Sequence, residues 1–323
     1  MRGILLFAAK AAVSLALLYF AFHGVNFGVL RARLNQIEYV WIVATLATLG
    51  VQIALAALRW RRIAAACGAE MSCQRAALYT LIGQFFNQAL PSTVGGDAAR
   101  IWLLARDTKV WKSAIYSVLI DRGIGLIWLA GFVLVCLPWS LALIHHPVGR
   151  AALILIGAAG GAAPLGLAAF TFIGRTSLAR FKVIRHLTDI ASIALRVLTS
   201  ARDGSPIAAI SIAIHLLTVF AVWCTARAVG SEFTLVQSLL LVPAIILISA
   251  VPISIAGWGV RESTMIAAFV YAGLPGTDGL TVSILYGAEN FLIGVIGGIA
   301  WSVGANRVRL SSLREASDRT LDV

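Results

Sequence analysis

Charged side chains inside long apolar runs are the residues of this sequence most able to do chemistry. Asp121 and Arg122 stand together in an apolar run over 113–138, and Glu289 stands beside Asn290 in another over 280–303. Asp97 and Arg100 open an apolar arm at 97–106, and Arg261 and Glu262 open another at 259–273. An ion held at membrane depth costs upward of ~2.5–3.5 kcal/mol, so each needs a partner or a purpose. Together they are four carboxylates and three guanidiniums, close to neutral as a set. Two readings stand. In one they pair, Asp97 with Arg100 one turn on and Arg122 with a carboxylate on a facing helix, while Asp97 also favours the positive end of its helix. In the other, Arg100, Arg122 and Arg261 join free N–H groups at Gly95, Gly96, Gly257 and Gly259 to bind a phosphate. The carboxylates would then bind an amine, carry protons or gate.

These positions are set by a stretch that occurs twice. The first copy is Phe85 to Asp107, FFNQALPSTVGGDAARIWLLARD, and the second is Leu247 to Phe269, LISAVPISIAGWGVRESTMIAAF. Each passes from an apolar arm to a proline (Pro91, Pro252), crosses a short Ser/Gly-bearing break, and opens a second arm with charges in its first turns. The arms 79–90 and 97–106 make ~18 and ~15 Å of helix, about half of a ~30 Å hydrocarbon core, which predicts a re-entrant hairpin. The arms 236–251 and 259–273 make ~24 and ~22 Å and nearly span. Either way the chain returns to the side it left.

The elements around them follow from composition. Hydrophobic residues are 60%, charged residues 12% and the mean hydropathy is +0.90, which specifies an all-α polytopic membrane protein. Six runs are long enough to cross: 3–22, 41–58, 113–138, 151–173, 207–229 and 280–303. The N-terminal run carries Lys10 and no clean cleavage site, so it is read as a retained span rather than a signal peptide. The net charge is +12, but the cations lie between apolar runs, where positive-inside topology explains them and nucleic acid does not. Arg59, Arg61, Arg62 and Arg75, then Arg106, Lys109 and Lys112, then loop 174–206, then the tail all fall on one side with the N-terminus. Both termini are therefore expected to be cytoplasmic. The first hairpin then enters from the cytoplasm and the second from outside. Span–hairpin–span over 41–138 thus repeats upside down over 207–303, an inverted repeat of the kind that places substrate sites at the midplane. Residues 1–306 form the membrane domain and 307–323 a short basic tail. Within loop 174–206, Leu178, Phe181, Ile184, Leu187, Ala191, Leu195 and Leu198 recur at helical spacing, predicting an amphipathic helix in the headgroup layer.

Catalytic signatures do not emerge: there is no P-loop, GxSxG or HExxH, and no cofactor is implied. The four cysteines (Cys67, Cys73, Cys136, Cys224) form no CxxC pair. Small-residue runs at Gly157–Ala163 and Gly294–Gly298 allow close helix packing, within the chain or in a homo-oligomer.

FNQALPSTVGGDAAR, the later SVLIDRGIGL and VPISIAGWGVRE resemble the lysylphosphatidylglycerol synthase transmembrane-region family, the flippase-like membrane domain also found as stand-alone proteins. The matching positions are Asn87, Pro91, Gly95, Gly96, Asp97, Arg100, Asp121, Arg122, Pro252, Gly257, Gly259, Arg261 and Glu262; Ala256 departs from an expected glycine. The resemblance implies movement of lipid headgroups across the bacterial inner membrane. The chain ends about twenty residues after its last span, so the soluble aminoacyl-transfer domain of the best-known members is expected to be missing. Phospholipid, hopanoid and polyprenyl-linked cargo all stay open. Two other classes stand beside the transporter: a membrane-embedded transferase with Asp97 or Glu262 as base, and a scaffold whose loop 174–206 docks a lipid-modifying enzyme.

Overall fold

A computed structural model describes residues 37–90, 94–173, 180–251 and 258–321, with Tyr19 and Gly28, and side chains as far as Val303. The predicted first span, Pro91, Pro252 and Gly257 lie outside the described residues. Among the described residues every regular element is helical. They are α1 Tyr39–Ala66, α2 Cys73–Ala89, α3 Gly95–Thr108, α4 Trp111–Leu143, α5 Pro147–Ile173, α6 Lys182–Thr199, α7 Gly204–Ala228, α8 Leu235–Ser249, α9 Val260–Tyr271 and α10 Gly276–Leu321.

Five helices are long and apolar enough to cross a membrane: α1, α4, α7, most of α5, and α10 as far as Val303. They correspond to five of the six runs expected to span. Local chemistry sets the starts and stops. Ser72 accepts the Arg75 N–H at 3.3 Å to open α2, and Thr234 and Gln237 form a reciprocal capping box on α8. Pro147 opens α5, where its missing N–H costs nothing. Gly259 precedes α9 at a φ of 87°, a conformation that favours glycine.

Two quartets organise the rest: α1, α2, α3, α4 and α7, α8, α9, α10. Within the first, α1 packs on α2, α2 on α3, α3 on α4 and α1 on α4; the second repeats every one of these contacts in order. Between quartets α1 packs on α7, α2 on α10 and α4 on α8. Exchanging the quartets therefore returns the same contact pattern. Each has its own apolar core. Trp60, Ala64, Leu104 and Val118 fill the first. Phe233, Leu241, Ile245, Met265 and Phe269 fill the second, which extends to Leu49 and Val133 of the other quartet.

Both small-residue runs pack inside the chain. A Cβ on Gly160 would lie 2.8 Å from that of Ala130, so α5 closes on α4 there. Gly297 lies directly on the Leu81 carbonyl, and Gly298 against the Phe85 ring, so α10 closes on α2. The predicted amphipathic helix is present as α6, but its buried face is Thr188, Ala191, Ala194 and Val197. Phe181 and Leu187 are exposed. α6 packs on α4, α5 and α7, which selects a face one step round from the most apolar stripe.

Candidate functional site

The ions singled out in the sequence gather into two networks and one separate acid. α3 begins where the Gly95–Gly96 pair lets its first turn lie on the end of α2. A Cβ on Gly95 would be 2.6 Å from the Phe86 carbonyl, and one on Gly96 would strike the Gly83 carbonyl and the Asn87 amide. Asn87 Oδ1 accepts the Gly96 N–H at 2.9 Å, tying the two arms together across the break. This start places Asp97 and Arg100 on one face of α3, one turn apart, toward α4.

On α4, Asp121 is buried and Arg122 is about one-third exposed. Asp121 accepts from Arg59 Nε at Oδ1 and from Arg100 Nη2 at Oδ2, each at 2.9 Å. Arg100 Nη1 also lies 3.5 Å from Asp97 Oδ1, and Arg122 donates to Asp97 Oδ2. The result is an alternating chain, Arg59–Asp121–Arg100–Asp97–Arg122, with one positive charge in excess. Arg59 Nη1 donates to Ser211 Oγ of α7 at 3.2 Å, joining the network to the other quartet. The Arg100 guanidinium stacks 4.1 Å over Trp60, whose Nε1 donates to Ser117 Oγ at 3.2 Å.

The second network is smaller and neutral. Glu262 is fully buried and its Oε2 accepts the Gly259 N–H at 2.6 Å, capping α9. Its Oε1 accepts from Arg261 Nη2 at 2.7 Å and from Ser283 Oγ at 3.1 Å, and Arg261 Nε donates to Ser283 at 3.1 Å. Ser283 and Gly287 stand four residues apart on α10, as Asp121 and Gly125 do on α4. Both glycines make room for a guanidinium: Arg59 beside Gly125 and Arg261 beside Gly287.

Glu289 stands apart. It is buried, and its Oε2 accepts from Thr225 Oγ1 at 2.7 Å; that hydroxyl lies 3.4 Å from Thr45 Oγ1. No ion pair joins it to a cation among the described residues. Its neighbour Asn290 accepts from Gln84 Nε2 of α2 at 3.3 Å, a hydrogen bond from one quartet to the other. Around that bond lies a cavity of about 160 Å³ with Gln52, Arg59, Thr80, Gln84, Tyr286 and Asn290 in its wall. The Thr80 hydroxyl is buried there without a hydrogen-bond partner. Among the described residues no three His, Cys, Asp or Glu side chains converge to hold a metal ion.

Two sequence expectations change on this geometry. The Gly96 and Gly259 N–H groups, expected to be free for an anion, are bonded to Asn87 and Glu262. These glycines serve close packing and capping. Arg59, grouped in the sequence with the surface cations Arg61 and Arg62, instead turns inward and links Asp121 to Ser211. Its signal is a polar stripe, Thr45, Gln52 and Arg59, recurring every seven residues along α1. With Arg59 included, the set holds four carboxylates and four guanidiniums.

The model for the family described as "Lysylphosphatidylglycerol synthase TM region" matches residues 7–298, most of the chain. The chain belongs to that family. No individual curated protein gives a match. The match spans both quartets and both networks, so the ions of the networks lie within the region that defines the family. The chain is accordingly a multi-pass membrane protein of a lipid-related family.

Proposed function

We propose that this protein moves an anionic or lipid-linked headgroup between membrane leaflets, as a flippase-like transporter of the bacterial inner membrane. The observation that carries the reading is the Arg59–Asp121–Arg100–Asp97–Arg122 chain, with one positive charge in excess, Arg59 in the wall of the cavity between quartets at one end and partly exposed Arg122 at the other. A buried net charge is costly, and an entering phosphate would neutralise it. Arg122, the most exposed guanidinium of the network, is the first to meet such a group. Asn87, Gly95, Gly96, Asp97, Arg100, Gly259, Arg261 and Glu262 hold the two helix starts at the network, and Asn290 and Gln84 close the cavity.

The matching contacts of the two quartets support an internal repeat; with the loop charges it is read as inverted, within a membrane domain of residues 1–306, with α2–α3 and α8–α9 as hairpins entering from opposite sides. Both termini are then cytoplasmic. Rocking one quartet against the other would open the cavity to each side in turn, breaking the Gln84–Asn290 bond at each passage.

Native mass spectrometry of the gently purified protein, with its retained lipids identified, tests the assignment. An anionic or polyprenyl lipid enriched in the wild type and lost in Arg122→Ala is the expected result. Bulk lipid only, unchanged by the substitution, would contradict it and favour structural pairing of the buried ions.

A further inference from the structure

α1 and α7, one from each quartet, meet along a polar ladder. Thr45 Oγ1 lies 3.4 Å from Thr225 Oγ1, Gln52 Nε2 donates to Thr218 Oγ1 at 2.8 Å, and Arg59 Nη1 donates to Ser211 Oγ at 3.2 Å. The rungs recur every seven residues on both antiparallel helices, so the ladder covers ~21 Å of membrane depth. One end joins Arg59 to Asp121; at the other, Thr225 Oγ1 donates to Glu289 Oε2 at 2.7 Å. Gln52 and Arg59 also stand in the wall of the cavity between quartets.

Glu289 is the part of this ladder that holding the quartets together does not explain. Hydroxyls and amides make such rungs without charge, whereas a carboxylate at depth needs a counter-ion. Glu289 is buried, no ion pair joins it to a described cation, and its Oε1 has no hydrogen-bond partner. Around it stand neutral groups: the Thr45 hydroxyl of α1, Thr225 and the Cys224 thiol of α7, and the Tyr286 phenol of its own helix. On α9 the cation is Arg261, which lies beside Gly287 and is paired with Glu262. α2 brings Gln84, which bonds Asn290. One carboxyl and two hydroxyls are too few oxygens for a hard metal cation, which takes about six or more. A proton needs one oxygen, and Oε1 is the one left.

We propose that Glu289 is a proton-binding site that ties closure of the α1–α7 seam to the proton gradient and so drives transport. With a proton on Oε1 the site is neutral and the seam closes. Loss of that proton leaves a carboxylate without a counter-ion, which favours the state that opens the seam to water. A proton taken up at one face and released at the other then accompanies each passage. The coupling rests on the transport reading; the proton site does not.

Infrared difference spectroscopy of the purified full chain through a pH series tests the site. The wild type should show the C=O stretch of a protonated carboxyl that fades as pH rises and is absent from the near-isosteric Glu289→Gln. Thr225→Val removes the hydrogen bond to Oε2 and should move that band to higher frequency without abolishing it. Leaflet exchange of labelled phosphatidylglycerol in phosphatidylcholine vesicles, corrected for protein-free vesicles, tests the coupling. An imposed pH gradient should change the wild-type rate several-fold; the response should vanish in Glu289→Gln and return in Glu289→Asp. No such band, or one unchanged in Glu289→Gln and Thr225→Val, would overturn the proton site. Exchange that follows a sodium gradient and ignores the pH gradient, or a pH response retained in Glu289→Gln, would overturn the coupling. A Glu289 band in a protein that moves no lipid would remove the transport reading and keep the proton site.

Discussion

Asp121 sits where guanidiniums from two helices meet, so removing its charge takes the carboxylate from buried Arg59 and leaves Arg100 with Asp97 alone. Breaking such a group from one side typically costs about 3–5 kcal/mol. Asp121→Asn is therefore expected to lower stability by about that much in a denaturation series in mild detergent, and an unchanged midpoint would refute the structural role given to it. Arg122 differs because its side chain is one-third exposed and bonded at the edge of the chain of charges. Its neutral variant should stay folded. At this scale the sequence was informative wherever a charge interrupted an apolar run, as at Asp97, Asp121, Glu262 and Glu289. Arg59 was harder to read, because it adjoins Arg61 and Arg62 at the end of its run and its one sign is the seven-residue spacing from Thr45 and Gln52. Only the rotation of α1 separates an inward guanidinium from two that face water. The use of the Gly96 and Gly259 N–H groups was equally hidden, because it depends on side chains reaching back across a break.

α2 and α3 meet at a crossing that has no space for a side chain. Gly96→Ala would drive a methyl into the Gly83 carbonyl and the Asn87 amide. Overpacking of this kind costs about 1–3 kcal/mol and here would also shift Asp97 and Arg100 away from α4. The variant should lose thermal stability by that amount, and a full wild-type melting profile would show that the crossing tolerates a Cβ. Helix existence was legible from hydropathy for α1, α4, α5, α7 and α10, and from the paired breaks for α2–α3 and α8–α9. Length was less so, since the arms read as 79–90 and 97–106 are helices of 17 and 14 residues, extended by polar turns that hydropathy leaves out. Which face packs was less so. The stripe expected for α6 is only partly its buried one: Thr188, Ala191, Ala194 and Val197 face the neighbouring helices, while Phe181 and Leu187 are exposed. The partners of Gly160 and Gly297 likewise required the folded chain: small residues announce a close approach without naming what approaches.

The two quartets share one contact pattern, which supports an internal repeat; its inversion is proposed from loop charge alone. Orientation can be checked with the native cysteines. Cys73 is exposed at the start of α2, on the side assigned to the cytoplasm. A membrane-impermeant maleimide should reach it in inside-out vesicles and not in intact cells. Cys67 should react slowly from either side at pH 7, because burial pushes its thiol up to about 11 and little thiolate is present. Labelling of Cys73 from outside would reverse the assigned topology. If the quartets rock, joining them should stop the cycle: a cysteine pair at Gln84 and Asn290, in a background with the native cysteines replaced, should halt transport when bridged and restore it on reduction. Transport unaffected by the bridge would argue against motion at that seam. The central claim is movement of a lipid headgroup past Arg122, and the direct measurement is leaflet exchange of labelled phosphatidylglycerol in proteoliposomes. The account predicts exchange well above that of protein-free vesicles, falling at least tenfold in folded Arg122→Gln. Exchange no faster than in protein-free vesicles, or equal rates in the wild type and the variant, would contradict it.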